Sequence, residues 1–314
     1  MAADPIPVLQ VSGTHREVGW QIGEEMKPTL QQTVARMRAD LPRGVSWADM
    51  LRQGLLYLEH SRAAYPQYVE ELEGIAEGAG LPFEEMFLGV CEELWEPVAW
   101  RDHASDGTER GLSGSLEKTR GCTDFAARGN ATVDGSTLLA HTNDLSPEAE
   151  QDLVILRVCA GDEPEFLGVS IGGLGYSAGF NAAGIGLTGN EVSCNDIRPG
   201  VPRLLLVRAI LAAQRLEEAM NACLLPQRAS NYNNLISDAQ GEVYCMEGSA
   251  TDCEPIYIED DILAHANHYV SQAMRRFEAD PNDNGGSVIR YYRAMRLLRE
   301  NYGRLSPETF CKLL

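Results

Sequence analysis

Gly121-Cys122-Thr123-Asp124-Phe125-Ala126-Ala127-Arg128-Gly129-Asn130-Ala131-Thr132-Val133-Asp134-Gly135-Ser136-Thr137-Leu138-Leu139-Ala140 reads as a strand, a tight turn and a second strand. It follows the polar, glycine-rich run Ser105–Arg120, which reads as a mobile surface loop. A cysteine at the start of a strand, behind a glycine and such a loop, stands where a chain can cut itself. Cutting before Cys122 leaves a thiol nucleophile and an α-amine on one residue. That amine, with an ordinary pKa of about 8, can act as the built-in base of the thiol. The plainer reading also fits: Cys122 is one of eight cysteines, and a free cysteine is usually a small buried hydrophobe, inert when enclosed.

Composition narrows the classes. The chain has 314 residues with 44% hydrophobic residues, room for a sizeable core in one large domain or two ordinary ones. Its net charge of −20 argues against nucleic-acid or anionic-membrane partners. No apolar run reaches the length of a membrane span. The opening Met1-Ala-Ala-Asp-Pro lacks the basic flank and apolar segment of a signal peptide. The cysteines form no CxxC pair and no disulfide framework. Free thiols in a cytoplasmic protein are the expectation.

Periodicity divides the chain near residue 121. The first hundred residues read as helices. Thr14 with Glu17 makes a capping box, followed by Val18, Ile22, Met26 and Leu30 at helical spacing. Gly19 and Gly23, four apart, offer a site of close backbone approach. Ser46 caps a second helix with Met50, Leu51, Leu55 and Leu58 inward; a third spans 66–79 and a fourth follows Pro82. Strands are predicted at 152–158, 165–171, 176–181, 184–190, 232–238, 241–247, 255–259 and 262–266. Helices are predicted at 201–222, 287–301 and from 306. This order gives an α+β fold with mainly antiparallel sheets.

Several residues could carry chemistry. With Asp134-Gly135 as a two-residue turn, Cys122 faces Pro147 and Asp144 faces Phe125, about 10 Å apart along the strand; a bulge at Gly129 would shift this by one. Asp144 then lies near the Cys122 end of the hairpin, either as a carboxylate for the new ammonium or as a turn and cap residue. In His265-Ala-Asn267-His268, the Asn267 amide suits an oxyanion. The two histidines lack an acid or cysteine at metal-ligand spacing, and loop hydrogen bonding is the ordinary fate of such a cluster. Gly172-Gly-Leu-Gly-Tyr-Ser-Ala-Gly is no phosphate loop, since no Gly-Lys-Ser/Thr follows. A pairing of Cys122 with His265 or His268 without cleavage is a further arrangement.

Four stretches together resemble the acyl-coenzyme A:isopenicillin N acyltransferase family of cysteine N-terminal-nucleophile hydrolases. They are Ser12–Gly23; Gly121-Cys-Thr with the following hairpin through Leu139-Ala-His-Thr-Asn-Asp144; Gly179–Asn190; and Asp238–Glu247 followed by His265–His268. The resemblance implies an αββα sandwich and self-cleavage at Gly121–Cys122. It implies a helical segment 1–121, a small subunit or propeptide after cleavage, and a core of 122–314, both in one compact domain. It implies amide hydrolysis or acyl transfer through a thioester on Cys122, acting on a small acyl-amino compound. By residue it assigns the nucleophile to Cys122, a site carboxylate to Asp144 and the oxyanion amide to Asn267. By a looser match to bile-salt-hydrolase-like enzymes, Asn190 lines the substrate and oxyanion site. Glu247 matches a family glutamate. No cofactor or metal is implied; acyl-coenzyme A enters only as a co-substrate. The partners implied are the substrate and the two cleavage fragments for each other. Two departures stand out. Relatives often carry Arg-Asn or Gln-Asn where this chain has Ala-His-Thr-Asn before Asp144, and they usually continue beyond Cys311-Lys-Leu-Leu314 into closing strands. An unprocessed binding or scaffold protein with the same fold is the alternative.

Overall fold

Two β-sheets face each other between two helical layers in the computed structural model, which describes residues 6–103, 121–282 and 284–314. The strands are β1 (Val8–Gly13), β2 (Gly121–Gly129), β3 (Gly135–Asp144), β4 (Leu153–Ala160), β5 (Phe166–Ile171), β6 (Tyr176–Asn181), β7 (Gly186–Asn190), β8 (Tyr232–Ser237), β9 (Val243–Gly248), β10 (Cys253–Tyr257) and β11 (Ile262–His265). The helices are α1 (His15–Glu25), α2 (Lys27–Ala39), α3 (Trp47–Ala64), α4 (Pro66–Ala79), α5 (Phe83–Phe87), α6 (Arg203–Leu211), α7 (Leu216–Cys223), α8 (Gly285–Glu300) and α9 (Pro307–Leu313). The larger sheet has the order β1-β4-β5-β6-β7-β8-β9-β10, and the smaller β11-β2-β3. All pairings are antiparallel except β1 with β4. The loop expected over 105–120 lies outside the described residues.

Strand β2 positions everything that follows. Side chains alternate across a strand, and this one is buried on both faces over its first seven residues. Phe125 and Ala127 pack with Ala294, Leu298 and Phe310 of α8 and α9. Ala126 packs the other way, against Leu235, Val243 and Cys245 of the larger sheet. Cys122 and Asp124 share the parity of Ala126, so their side chains enter the space between the sheets. The outer face of the larger sheet carries Leu156, Val158, Leu187 and Met246 into the core shared with α1 to α7.

The N-terminal helices dock through glycine. Thr14 caps α1 with the expected Glu17 capping box. A Cβ on Gly19 would fall 1.9 Å from the Glu71 carbonyl oxygen, and one on Gly74 would fall 2.2 Å from that of Arg16. The two backbones therefore touch, which only glycine permits. Beside this seam a buried ion cluster joins three elements. Arg208 on α6 meets Glu71 on α4 at 2.9 Å and Glu163 at 2.8 Å, while His15 on α1 meets Glu71 at 3.0 Å. Breaking one partner of such a buried pair typically costs about 3–5 kcal/mol.

Several local expectations are corrected. Residues 8–13, for which no strand is predicted, form β1, so the N-terminal segment adds a strand to the larger sheet. The helix expected from Thr14 to Leu30 ends at Glu25, and α2 restarts with Pro28 in its first turn. Leu55, read as inward, is 52% exposed; the buried stripe of α3 runs through Met50, Gly54, Tyr57 and Leu58. The helix predicted at 201–222 is two, because the Asn181 amide takes the carbonyls of Leu211 and Ala213 and ends the first. The hairpin has a five-residue loop, 130–134, instead of a two-residue turn. Thr132 holds it through Gly129 and Ser136, and Val133 N–H donates to the Leu305 carbonyl. The register shift near Gly129 is present. The longer loop moves the pairing, so Cys122 faces Asn143 and Gly121 faces Asp144.

Candidate active site

Cys122 is the second residue of β2 and is 8% exposed. Its Sγ lies 3.5 Å from Asn143 Oδ1, across the ladder. Its backbone N–H donates to Asn267 Oδ1 at 2.8 Å, and its carbonyl accepts from Arg290 Nη1 at 2.5 Å. Arg290, on the α8 face toward β2, also donates to Thr123 Oγ1 at 3.0 Å and to Asn267 Oδ1 at 2.7 Å. The backbone on both sides of the Cys122 α-carbon is thus held.

Asn267 follows β11, the neighbour of β2. Its orientation is set by its partners. One amide atom meets two donors, Cys122 N–H and Arg290, so it is the oxygen. The other meets the Glu191 carbonyl at 2.9 Å, so it is the NH₂. The NH₂ expected to face an oxyanion is therefore engaged elsewhere, and Asn267 contacts Cys122 through its oxygen.

Asp144 is exposed and stands opposite Gly121. A Cβ on Gly121 would sit 2.8 Å from Asp144 Oδ2 and 3.2 Å from Arg290 Nη2. Glycine is what lets this carboxylate and guanidinium close over the bond between residues 121 and 122.

His141 joins the same cluster. It pairs with Asp124 across the ladder, and its Nδ1 lies 2.8 Å from Asp124 Oδ1. Burial alone would lower its pKa, but hydrogen bonds to Asp124 and to the Cys122 side chain, with their charges, lift it to about 9. Burial pushes the thiols of Cys91, Cys223 and Cys245 well up, and that of Cys253 to about 12.

The histidines singled out in the sequence go elsewhere. His265 bridges Glu247 at 2.7 Å and Asn190 Oδ1 at 3.0 Å, all three enclosed. Glu247 also accepts from the N–H groups of Val270 and Ser271. His268 meets Ser287 Oγ at 2.7 Å and packs edge-on to Tyr291. Burial, then the neighbouring His265, lowers its pKa to about 4. Neither shares a hydrogen bond with Cys122 among the described residues. The pairing of Cys122 with His265 or His268 is corrected accordingly: the histidine at the thiol is His141. Asn190 is wholly buried, and its Nδ2 has no hydrogen-bond partner among the described residues.

Arg290 was not legible in the sequence, since a helix with several arginines gives no sign of which one turns inward. Asp124 and His141 carried a signal, two ionisable residues of one hairpin, but their pairing needed the true register. A cleft of about 400 Å³ beside Tyr65, Tyr68 and Glu163 belongs to the helical layer and is not lined by these residues.

The model of the acyl-coenzyme A:6-aminopenicillanic acid acyl-transferase family matches residues 131–314, more than half of the chain. The chain belongs to this family. The matched stretch contains Asp144, Asn190, Glu247, Asn267 and Arg290, and begins after Cys122. Among curated proteins, the beta-alanyl-dopamine/carcinine hydrolase of Drosophila melanogaster is 24% identical over 230 residues, covering 68% of this chain and 56% of that protein. The 40 kDa form of the acyl-coenzyme A:6-aminopenicillanic-acid-acyltransferase of Emericella nidulans is 24% identical over 261 residues, 82% of this chain and 67% of that one. The chain thus spans little more than half the length of the first of these relatives. Among solved structures, a variant of the conjugated bile acid hydrolase of Clostridium perfringens is 13% identical, with 62% of this chain and 70% of that one covered and a TM-score of 0.34.

Proposed function

We propose that this chain is a self-processing cysteine amidohydrolase or N-acyltransferase for small acyl-amino compounds. The observation that carries the reading is the state of Cys122. Its nitrogen, the atom that becomes the amine, already rests on Asn267 Oδ1, while its thiol faces Asn143 and His141. In self-cleavage the thiol attacks the Gly121 carbonyl, the peptide bond breaks, and water releases the thioester. The freed amine stays on Asn267 Oδ1, close enough to serve as base to its own thiol. In turnover the thiol takes the acyl group of the substrate as a thioester. Water then gives hydrolysis, or an amine gives transfer, with acyl-coenzyme A as the alternative donor.

The developing oxyanion needs a preorganised donor. The Asn267 NH₂ is spent on Glu191, whereas the buried Asn190 Nδ2 has no hydrogen-bond partner among the described residues. We assign it that role. Arg290 holds the strand end, and Asp144 stands beside Gly121, where the new terminus forms.

A panel of p-nitroanilide amides and acyl-coenzyme A donors tests the reading. We expect turnover of at least one, abolished in Cys122→Ala. Full turnover by folded Cys122→Ala contradicts the proposal. Binding without turnover across the panel supports a scaffold role instead.

A further inference from the structure

The base supplied by an N-terminal nucleophile exists only after the first cut. In the uncleaved chain the Cys122 nitrogen is an amide, bonded as a donor to Asn267. Another group must take the thiol proton and return one to the departing nitrogen. His141 is placed for this. It stands on β3 opposite Asp124, whose side chain is wholly buried. Asp124 Oδ1 holds His141 Nδ1, and Asp124 Oδ2 has no other partner among the described residues. Cys122 lies diagonally across the ladder from His141, two residues along β2 from Asp124, and its side chain is among the groups that raise the ring's pKa. Cys122 and Asp124 are two apart on one face of β2, so thiol, imidazole and carboxylate form one row.

We infer that His141, oriented by Asp124, carries the proton of the self-cleavage step, which extends the self-processing reading and rests on it. The thiol proton passes to Nε2, the ring nitrogen not held by Asp124. The Sγ–C bond forms at the Gly121 carbonyl, whose π electrons move to oxygen. As the carbonyl re-forms, the C–N bond breaks, its electron pair stays on the Cys122 nitrogen, and the imidazolium returns the proton there. The thiol hydrogen ends on the amine, and Gly121 is a thioester on Cys122. Water then hydrolyses the thioester, restoring the thiol and leaving the Gly121 carboxylate. His141 touches the reacting atoms; Asp124 is a positioning residue that fixes its tautomer.

On β2 His141 meets Cys122 and Asp124. Beyond Asp124 lie His265 of β11, paired to Glu247 of β9, and the Cys245 thiol of β9, raised by burial and by the charges of Glu247 and Asp124. Arg290 of α8 bonds to the Cys122 carbonyl and Thr123. With its pKa near 9, His141 holds at neutral pH the proton taken from the thiol, and above about 9 the ring has none to return to the departing nitrogen.

The test follows pulse-labelled full-length chain through processing between pH 6 and 10, in wild type, His141→Gln, His141→Gly and Asp124→Asn. Wild-type cleavage should slow as pH rises through about 9. His141→Gln should cleave about 10²–10⁴-fold more slowly, the usual scale of general acid–base catalysis, and lack that limb. Asp124→Asn should fall between, and added imidazole should restore part of the rate to His141→Gly. Cleavage of His141→Gln within about threefold of wild type, with the same pH profile, overturns the proposal. If wild type yields no fragments, the self-processing reading fails separately. Alkylation of Cys122 by iodoacetamide at pH 6, followed by peptide mass spectrometry, then decides the role of His141. Equal rates in wild type and His141→Gln refute thiol activation by His141, and a rate about tenfold lower in the variant sustains it.

Discussion

Replacing Asn267 separates two roles that the same residue could play. Asn267→Ala removes two hydrogen bonds through Oδ1, at 2.8 Å from Cys122 N–H and 2.7 Å from the Arg290 guanidinium. A neutral bond contributes about 0.5–1.5 kcal/mol, and one to a charged group about 1.5–3 kcal/mol. The loss is thus about 2–4.5 kcal/mol, or roughly 30- to 2,000-fold in rate if it falls wholly on the transition state. Asn267→Asp is the informative partner. A carboxylate keeps an acceptor for both donors and loses only the bond to Glu191, where its second oxygen meets a carbonyl. If Asn267 works through its oxygen, Asn267→Asp retains more activity than Asn267→Ala. If it works by donating its NH₂ to the oxyanion, the carboxylate is the worse variant. Steady-state kinetics on matured protein, with kcat and KM separated, reads the order directly. Asn267→Asp falling below Asn267→Ala, with both folded by circular dichroism, refutes the assignment through oxygen.

Gly121→Ala places a Cβ 2.8 Å from Asp144 Oδ2. Overpacking of this kind costs about 1–3 kcal/mol, so processing on a gel time course should slow by about 5- to 150-fold; wild-type speed would contradict the packing argument. Glu93 concerns stability rather than chemistry. Its Oε1 accepts from Ser230 and the Arg203 N–H, its Oε2 has no partner among the described residues, and burial pushes its carboxyl up to about 7. Between about pH 4.5 and 7 the folded chain therefore keeps a proton that the unfolded chain releases, and the stability due to this group falls as pH rises across that window. Glu93→Gln mimics the protonated acid and should raise the thermal midpoint at pH 8, by up to about 3 kcal/mol in free energy, and leave it little changed at pH 5. An equal change at both pH values would exclude this cause.

The strands from β4 to β11 and the caps at Thr14 and Ser46 were legible because alternation and capping are local. Strand β1 was not, because its partner β4 lies some 145 residues away in sequence and nothing within Val8–Gly13 requires that pairing. The hairpin register failed for a similar reason: the loop 130–134 is pinned by Leu305, far along the chain. That error of four residues had a chemical consequence. In the assumed register Asp124 faces Leu145 and His141 faces Arg128; in the true one they face each other. Cys122 could be read from its place behind a glycine at a strand start, and Asn267 from its place at a strand end. The direction of the Asn267 amide depends on Arg290, whose side chain meets β2 only through tertiary packing.

Intact-mass spectrometry with N-terminal sequencing of the freshly purified 314-residue chain tests the central claim most directly. Self-cleavage predicts fragments of 121 and 193 residues, about 13 and 21 kDa by share of 34.4 kDa, the larger beginning at Cys122, with Cys122→Ala remaining whole. A single uncut chain with full amidase or transferase activity would contradict it.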